Sequence, residues 1–227
     1  MAFSPDGKYI LTAGLDGARI WDPETGQEVR QLSEVDRPHQ AVFSPDGKYI
    51  ATAKASDDGT ELWDAKTGRM LHRFTGTTTI SSVAFSPDGK YLLSTEFDGI
   101  AWLWDVQTGK MVRQFVGHTE LIASASFSPD GKYIATASYD DTARLWDAQT
   151  GQELRRFTGH ASGVENVVFS PDGKFILTGG DDGTARLWDV DYQATMEYLC
   201  SRLRDFTDDE RAQYGITDNE PTCPPKP

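Results

Sequence analysis

The 227-residue sequence has only two cysteines, Cys200 and Cys223, and no apolar run near the roughly 18 residues of a membrane span. Two thiols provide neither a disulfide framework nor a four-cysteine metal site. Basic residues are also scarce, since 22 Lys and Arg stand against 35 Asp and Glu, for a net charge of −13. Nucleic acids and anionic membranes both favour clustered Lys and Arg, so neither is expected as a partner. These deficits predict a soluble, cytoplasmic protein.

The sequence motifs of common enzymes are missing as well. There is no phosphate-cradling Gly-rich loop, no His-Glu-x-x-His and no Gly-x-Ser-x-Gly. Repeated Asp-Gly pairs suggest calcium loops, but each pair falls in a turn between two strands, where both residues are favoured for backbone reasons. We therefore predict no catalytic residues, no cofactor and no metal, and hence no enzyme.

What the chain does contain is one pattern repeated five times. The segment Phe-Ser-Pro-Asp-Gly-Lys begins at Phe3, Phe43, Phe85, Phe127 and Phe169, at intervals of 40, 42, 42 and 42 residues. A Trp-Asp pair follows each copy, at Trp21, Trp63, Trp104, Trp146 and Trp188. Self-similarity at this period is typical of a repeat architecture.

Each copy predicts four short strands separated by turns. In the fourth copy they cover 122–127, 132–136, 143–146 and 152–157. The Ser-Pro-Asp-Gly segment favours a turn because Pro fixes φ and Gly accepts a positive φ. One four-stranded unit buries too little apolar surface to stand alone, so the units must stack, and a ring protects the sheet faces. We predict an all-β fold, a β-propeller of five antiparallel blades.

The pattern of Gly-His, a strand, Ser-Pro-Asp-Gly, a strand and Asp-x-Thr-x-x-x-Trp-Asp resembles that of WD-repeat β-propellers, over about residues 1 to 190. The resemblance implies a rigid scaffold that binds proteins or peptides, generally without catalysis. It also implies a structural chain of hydrogen bonds within a blade, from Asp to His, to a hydroxyl, to the Trp indole. The residues at these positions are His118, Thr136, Asp140 and Trp146 in blade four, His160, Thr178, Asp182 and Trp188 in blade five, and Ser94, Asp98 and Trp104 in blade three. A catalytic set would occur once, whereas this one recurs with the repeat.

The family resemblance also implies one face on which residues just before each turn Asp meet a partner. The candidate partner-binding residues are Phe97, Trp102, Glu120, Tyr139 and Asp181. Aromatic side chains supply a large contact area at low entropic cost, which makes Phe97 and Tyr139 the expected anchors. The alternative is that Phe97 and Trp102 pack on each other or on blade edges. The acid excess favours a neutral or basic protein surface as the partner.

Two features concern the ends of the repeat region. Residues 191–227 predict a helical and Pro-rich extension, with an amphipathic helix over 192–205, a second short helix from Thr207 and a Pro-rich segment at 221–227. This extension resembles those of bacterial multi-domain WD-repeat proteins, whose other parts are often signalling NTPases, kinases or effector domains. The fifth blade lacks its outer strand, so the five blades form a small ring, an open arc or part of a larger assembly, and the unpaired edges of an open arc invite self-association. We expect the chain to be the C-terminal portion of a longer product.

Three hypotheses about function remain open at this point. The first is a non-catalytic interaction scaffold, the sensing or target-binding part of a bacterial signalling protein. The second is a propeller enzyme, a hydrolase or lyase, with its site in the central channel. That enzyme would need unique carboxylates or His in the inner strands, which end in Ala-Val-Phe, Val-Ala-Phe, Ala-Ser-Phe and Val-Val-Phe. The third is a non-functional fragment of a longer gene.

Overall fold

The computed structural model describes residues 1–32, 38–54, 59–75 and 79–191. The predicted helices, the Pro-rich segment and both cysteines lie outside these residues. The chain divides into two compact units, Met1–Trp188 and Asp189–Pro227. The second unit is described only as far as Asp191.

The described residues form nineteen short strands and no helix. The strands are β1 (Ala2–Phe3), β2 (Ile10–Gly14), β3 (Gly17–Trp21), β4 (Glu28–Gln31), β5 (Pro38–Phe43), β6 (Tyr49–Lys54), β7 (Thr60–Asp64), β8 (Met70–Phe74), β9 (Ile80–Phe85), β10 (Tyr91–Glu96), β11 (Ile100–Asp105), β12 (Met111–Val116), β13 (Ile122–Phe127), β14 (Tyr133–Ser138), β15 (Thr142–Asp147), β16 (Glu153–Thr158), β17 (Val164–Phe169), β18 (Phe175–Gly180) and β19 (Ala185–Asp189).

Five antiparallel sheets follow one another along the chain. Strands β1 to β4, β5 to β8, β9 to β12 and β13 to β16 make four sheets of four strands, and β17 to β19 make a fifth of three. Within each sheet the strands lie in chain order, as expected for hairpins joined by tight turns. The prediction of an all-β propeller with five blades, the last without its outer strand, is confirmed for the described part of the chain.

The Ser-Pro-Asp-Gly turn is held by its own side chains. In the fourth sheet the Ser128 hydroxyl donates to Asp130 Oδ1 at 2.7 Å and accepts the backbone N–H of Tyr133 at 2.9 Å. Gly131 takes a φ of 72°, which a residue with a Cβ rarely adopts. The same serine hydrogen bonds recur in the other four copies. This local chemistry fixes the hairpin between the first two strands of every sheet.

Side chains alternate between two faces of each sheet. We name the face that carries the Trp of the Trp-Asp pair the front face and the other the back face. In the fourth sheet Ile134 and Trp146 pair on the front face, while Ala135 and Leu145 pair on the back face. The back face of one sheet packs on the front face of the next, so that Leu103 of the third sheet shares a core with Ile134 and Trp146. Between the first and fifth sheets the described residues make no comparable packing contact.

No helix long and apolar enough to cross a membrane occurs in the part of the chain that the structure describes.

Candidate functional site

The first strand of each sheet is the inner strand of the blade. The residue that follows the second strand is held by a hydrogen bond beside the start of this inner strand. Its backbone N–H donates to the carbonyl that precedes the inner strand, from Phe97 to Thr79 at 3.1 Å, from Tyr139 to Leu121 at 3.0 Å and from Asp181 to Gly163 at 2.8 Å. Three of the predicted partner-binding residues therefore occupy equivalent positions in three successive sheets.

Phe97 and Tyr139 line one pocket of about 310 Å³. Their side chains are 51% and 38% exposed. The rest of the lining comes from the starts of the inner strands and the residues just before them: His39, Thr79, Ile80, Ser81, Leu121 and Ala123. Two exposed aromatic rings over an apolar pocket form a surface that can hold a side chain of a partner.

Acidic groups lie next to Tyr139. Its hydroxyl is 3.5 Å from Glu165 Oε1. Desolvation, together with the negative charges of Asp181 and Glu165, raises the pKa of the Tyr139 phenol. The Tyr139 ring also covers Gly163, where a Cβ would collide with the ring. The site thus combines aromatic faces with negative charge, and this combination attracts the cationic side chains of Lys and Arg.

The remaining two predicted partner-binding residues differ from each other. Glu120 is exposed, and its backbone carbonyl is fixed by the Ser138 hydroxyl, which donates to it at 3.1 Å. Trp102 is only 9% exposed, and its ring stacks on Trp104 with the centroids 5.8 Å apart. The structure corrects the prediction for Trp102, because its side chain lies in the core between the second and third sheets and offers no contact surface.

Sequence reasoning missed a variable position in the inner strands. It lies four residues before the repeat Phe in the second to fifth repeats and is occupied by His39, Ser81, Ala123 and Glu165. The signal is visible when the repeats are aligned, because this position changes from blade to blade. Both His39 and Glu165 put titratable side chains in the inner strands, where the last three residues of each strand show none.

His118 is the centre of a hydrogen-bond chain in the fourth sheet. Its Nδ1 lies 2.8 Å from Asp140 Oδ2, and its Nε2 lies 2.7 Å from Thr136 Oγ1. The Thr136 hydroxyl also accepts the indole N–H of Trp146 at 2.9 Å. All groups are satisfied when His118 is neutral, with Nδ1–H donating to Asp140 and Nε2 accepting from Thr136. This hydrogen-bond chain therefore favours the neutral imidazole of His118.

The pKa values in this chain are shifted in a consistent way. Burial lowers the pKa of His118, against the opposing pull of the Asp140 carboxylate. For Asp140, burial acts to raise the pKa, but hydrogen bonds from His118 and Thr142 outweigh it and hold the pKa well below its usual range. The folded state thus prefers a neutral His118 next to an ionised Asp140.

We expect the melting temperature to fall as the pH is lowered from 7 to 5. The pKa of His118 is lower in the folded chain, so the unfolded chain takes up a proton first, near pH 6.5. The stability contributed by neutral His118 is therefore complete above that pH and is lost as the pH falls toward the folded pKa. The depressed pKa of Asp140 adds a further loss at lower pH, below the unfolded carboxyl value. Thermal melts followed by circular dichroism measure the first loss between pH 7 and 5 and the second loss below about pH 4.

The His118→Gln variant is the control for this pH dependence. Its side chain does not titrate, so its melting temperature is lower at pH 7 but drops by less between pH 7 and 5. An equal drop in the variant and the natural chain would contradict the role assigned to His118.

The same hydrogen-bond chain is present in the fifth sheet. His160 Nδ1 is 3.0 Å from Asp182 Oδ2, and His160 Nε2 is 2.8 Å from Thr178 Oγ1, which accepts the indole N–H of Trp188 at 2.9 Å. In all five sheets the Trp indole donates to a hydroxyl, on Thr12, Thr52, Ser94, Thr136 and Thr178. In the third sheet Asp98 accepts the backbone N–H of Ile100 at 3.1 Å. Because the Trp-to-hydroxyl hydrogen bond recurs in all five sheets, we assign it to holding each blade together.

The second sheet carries a buried ion pair that the sequence pattern does not predict. Lys54 Nζ lies 2.8 Å from Glu61 Oε1, and both side chains are 1% exposed. Arg73 approaches from the sheet surface, and its guanidinium lies 2.8 Å from the same Glu61 carboxylate oxygen. Lys54 and Glu61 stand where the fourth sheet has Ser138 and Arg144, so the ion pair is particular to the second sheet and lies beside its Trp63-to-Thr52 hydrogen bond.

Two larger pockets, of about 450 and 400 Å³, lie between adjacent sheets. Each is lined by the Ser-Pro-Asp turns of two neighbouring sheets and by equivalent residues such as Tyr9 and Tyr91. Because these pockets recur with the repeat, we assign them to blade packing. Among the described side chains, no group of three His, Cys, Asp or Glu is placed to hold a metal ion.

Comparison with known proteins gives one family. The family model for the WD domain, G-beta repeat, matches residues 1–22, 27–64, 68–105, 109–147 and 151–189. No curated protein matches the chain. Repeats of this kind generally mediate protein–protein interaction, and their propellers are typically non-enzymatic scaffolds. The first match covers the first three strands of the first sheet, and each later match covers the last strand of one sheet and the first three strands of the next. Since the five matches together cover most of the sequence, the chain belongs to the WD domain, G-beta repeat family.

Proposed function

We propose that this chain is a non-catalytic scaffold that binds a protein or peptide at the pocket of Phe97 and Tyr139. The observation that carries the proposal is the placement of two exposed aromatic side chains on one pocket of about 310 Å³. Aromatic side chains are usually buried in a packed core. The exposure of Phe97 and Tyr139 at equivalent positions of adjacent blades therefore supports an interface role. The general role of the family in protein–protein interaction supports the same conclusion.

The partner segment that we propose is neutral or basic. Asp181 and Glu165 lie close enough to Tyr139 to raise its pKa, so a cationic side chain entering the pocket gains both their attraction and contact with the aromatic rings. Glu120 extends the acidic surface beside the pocket. The net charge of −13 adds long-range attraction for a basic protein and repels nucleic acids and anionic membranes.

We also propose a biological setting for the scaffold, as the target-binding or sensing part of a signalling protein in the bacterial cytoplasm. The resemblance of residues 191–227 to the extensions of bacterial multi-domain WD-repeat proteins supports this setting.

Selection of binders from a displayed library of random peptides, followed by fluorescence-anisotropy titration of the selected peptides, tests the binding site. We expect selection of peptides rich in Lys and Arg, and the double variant Phe97→Ala, Tyr139→Ala should weaken their binding by roughly tenfold or more. The matched control is Tyr9→Ala, because Tyr9 is 39% exposed but lines a different pocket. Unchanged affinity in the double variant, or an equal loss in Tyr9→Ala, would contradict the assignment.

A further inference from the structure

The four junctions between sheets bury the same back-face position. Ile20, Leu62, Leu103 and Leu145 occupy it in the first four sheets and are at most 3% exposed. The equivalent Leu187 of the fifth sheet is 65% exposed. Its neighbours on the same face, Val168 and Leu177, pair across β17 and β18 and are 51% and 44% exposed. The fifth sheet therefore presents an apolar back face of the type that the other four sheets bury.

The front face of the first sheet is open in the complementary way. Phe3 is 66% exposed, whereas the equivalent Phe43, Phe85 and Phe127 pack against the junction cores. The Trp side chains of both end sheets, Trp21 and Trp188, are half-buried, so Phe3 is the residue that distinguishes the front face of the first sheet. Among the described residues no back face packs on the front face of the first sheet as one does in the other four sheets.

The turns independently indicate that the same two faces are uncovered, the back face of the fifth sheet and the front face of the first. At each junction a Cβ placed on the turn Gly would lie 3.5 to 3.8 Å from the turn Pro of the preceding sheet, in the pairs Gly47 with Pro5, Gly89 with Pro45, Gly131 with Pro87 and Gly173 with Pro129. A Cβ on Gly7, in the first sheet, would meet no described atom within 4 Å. Pro171, in the fifth sheet, is the partner that the series assigns to it.

We propose that the back face of the fifth sheet in one copy packs on the front face of the first sheet in a second copy. This contact repeats a junction that the chain already forms four times, so its geometry and chemistry are known from within the molecule. The two uncovered faces differ from each other, and each copy offers the face that the other copy needs to complete a junction. The contact is head to tail, and such contacts build a ring when the rotation closes and longer assemblies when it does not.

This contact is separate from the partner-binding pocket. It uses the faces of the end sheets, whereas Phe97 and Tyr139 lie on the third and fourth sheets. It also differs from pairing between open strand edges, because the proposed contact covers apolar side chains on sheet faces and makes no backbone hydrogen bonds between strands.

Size-exclusion chromatography with light scattering on the 227-residue chain tests the proposal. We expect a mass that is a multiple of 25.1 kDa. Leu187→Asp puts a charge on the back face of the fifth sheet, and Phe3→Asp puts one on the front face of the first sheet. Each variant alone should therefore elute with the mass of one chain. Leu154→Asp is the matched control, since Leu154 is 45% exposed on the outer strand of the fourth sheet, and it should retain the assembly.

Mixing the two variants provides the sharper test. The mixture retains one intact junction, between the fifth sheet of Phe3→Asp and the first sheet of Leu187→Asp, so it should form a species of two chains and nothing larger. Misfolded variants could not regain this contact. A natural chain that stays single at its highest soluble concentration overturns the proposal, as would a monomer in which residues 192–227 cover the fifth sheet. Assembly that survives Leu187→Asp, or failure of the mixture to form the two-chain species, overturns it too.

Discussion

Replacement of Lys54 by Met is expected to lower the free energy of unfolding by about 3 to 5 kcal/mol. The Lys54 ammonium is 2.8 Å from Glu61 Oε1, and both side chains are 1% exposed, so the substitution leaves a carboxylate in the interior without its buried counter-ion. Arg73 still reaches that carboxylate from a side chain that is 43% exposed, which places the expected loss toward the lower end of the range. Urea unfolding followed by circular dichroism measures the change.

Two further variants separate the ion pair from mere loss of a lysine. The double variant Lys54→Met, Glu61→Leu removes both charges and should regain most of the lost stability, because apolar side chains of similar size replace buried ion pairs at little cost. Lys48→Met removes a lysine that is also paired, with Asp46 at 2.9 Å, but is 73% exposed. Its unfolding midpoint should hardly change, since solvent screens surface pairs. A double variant as unstable as Lys54→Met alone would contradict the interpretation.

Truncation of Leu145 to Ala should cost about 2 to 5 kcal/mol of unfolding free energy. Leu145 lies on the back face of the fourth sheet, 3% exposed, and it is covered by the fifth sheet. Deleting its methyl groups leaves a cavity that the rigid strands on both sides cannot close. The measurement is again the urea midpoint and slope, which report stability and exposed surface separately.

Leu154→Ala is the comparison that gives the Leu145 result its meaning. Both leucines belong to the fourth sheet, but Leu154 is 45% exposed on the outer strand, and its truncation should change stability by only about 0.5 kcal/mol. Similar losses at the two positions would show that the fifth sheet does not pack on the fourth as described.

Much of the fold could be predicted because the responsible interactions are local. In the fourth repeat the predicted strands end within two residues of β13, β14, β15 and β16. The reason is that each strand is limited by a turn whose conformation depends on adjacent residues, as with Ser128, Asp130 and Gly131. The alignment of Phe97 and Tyr139 at equivalent positions follows from the same repeat.

The parts of the site that escaped prediction depend on contacts between sheets. Trp102 stands where three other blades carry Arg, and nothing beside it in the chain says that it stacks on Trp104 inside a core. The pocket draws residues from β5, β9 and β13, which lie about one repeat apart, so its lining appears only when three blades are placed together. Lys54 and Glu61 likewise become an ion pair only when β6 pairs with β7.

The sequence by itself determined that this protein is a series of five WD-repeat blades, because turn chemistry and the alternation of side chains act over a few residues. Only the tertiary structure decided which equivalent side chains are covered. Leu145 and Leu187 have the same place in the repeat, yet one is 3% and the other 65% exposed. The difference comes from the neighbour, since a back face is buried only where another sheet packs against it, and no local pattern encodes that presence.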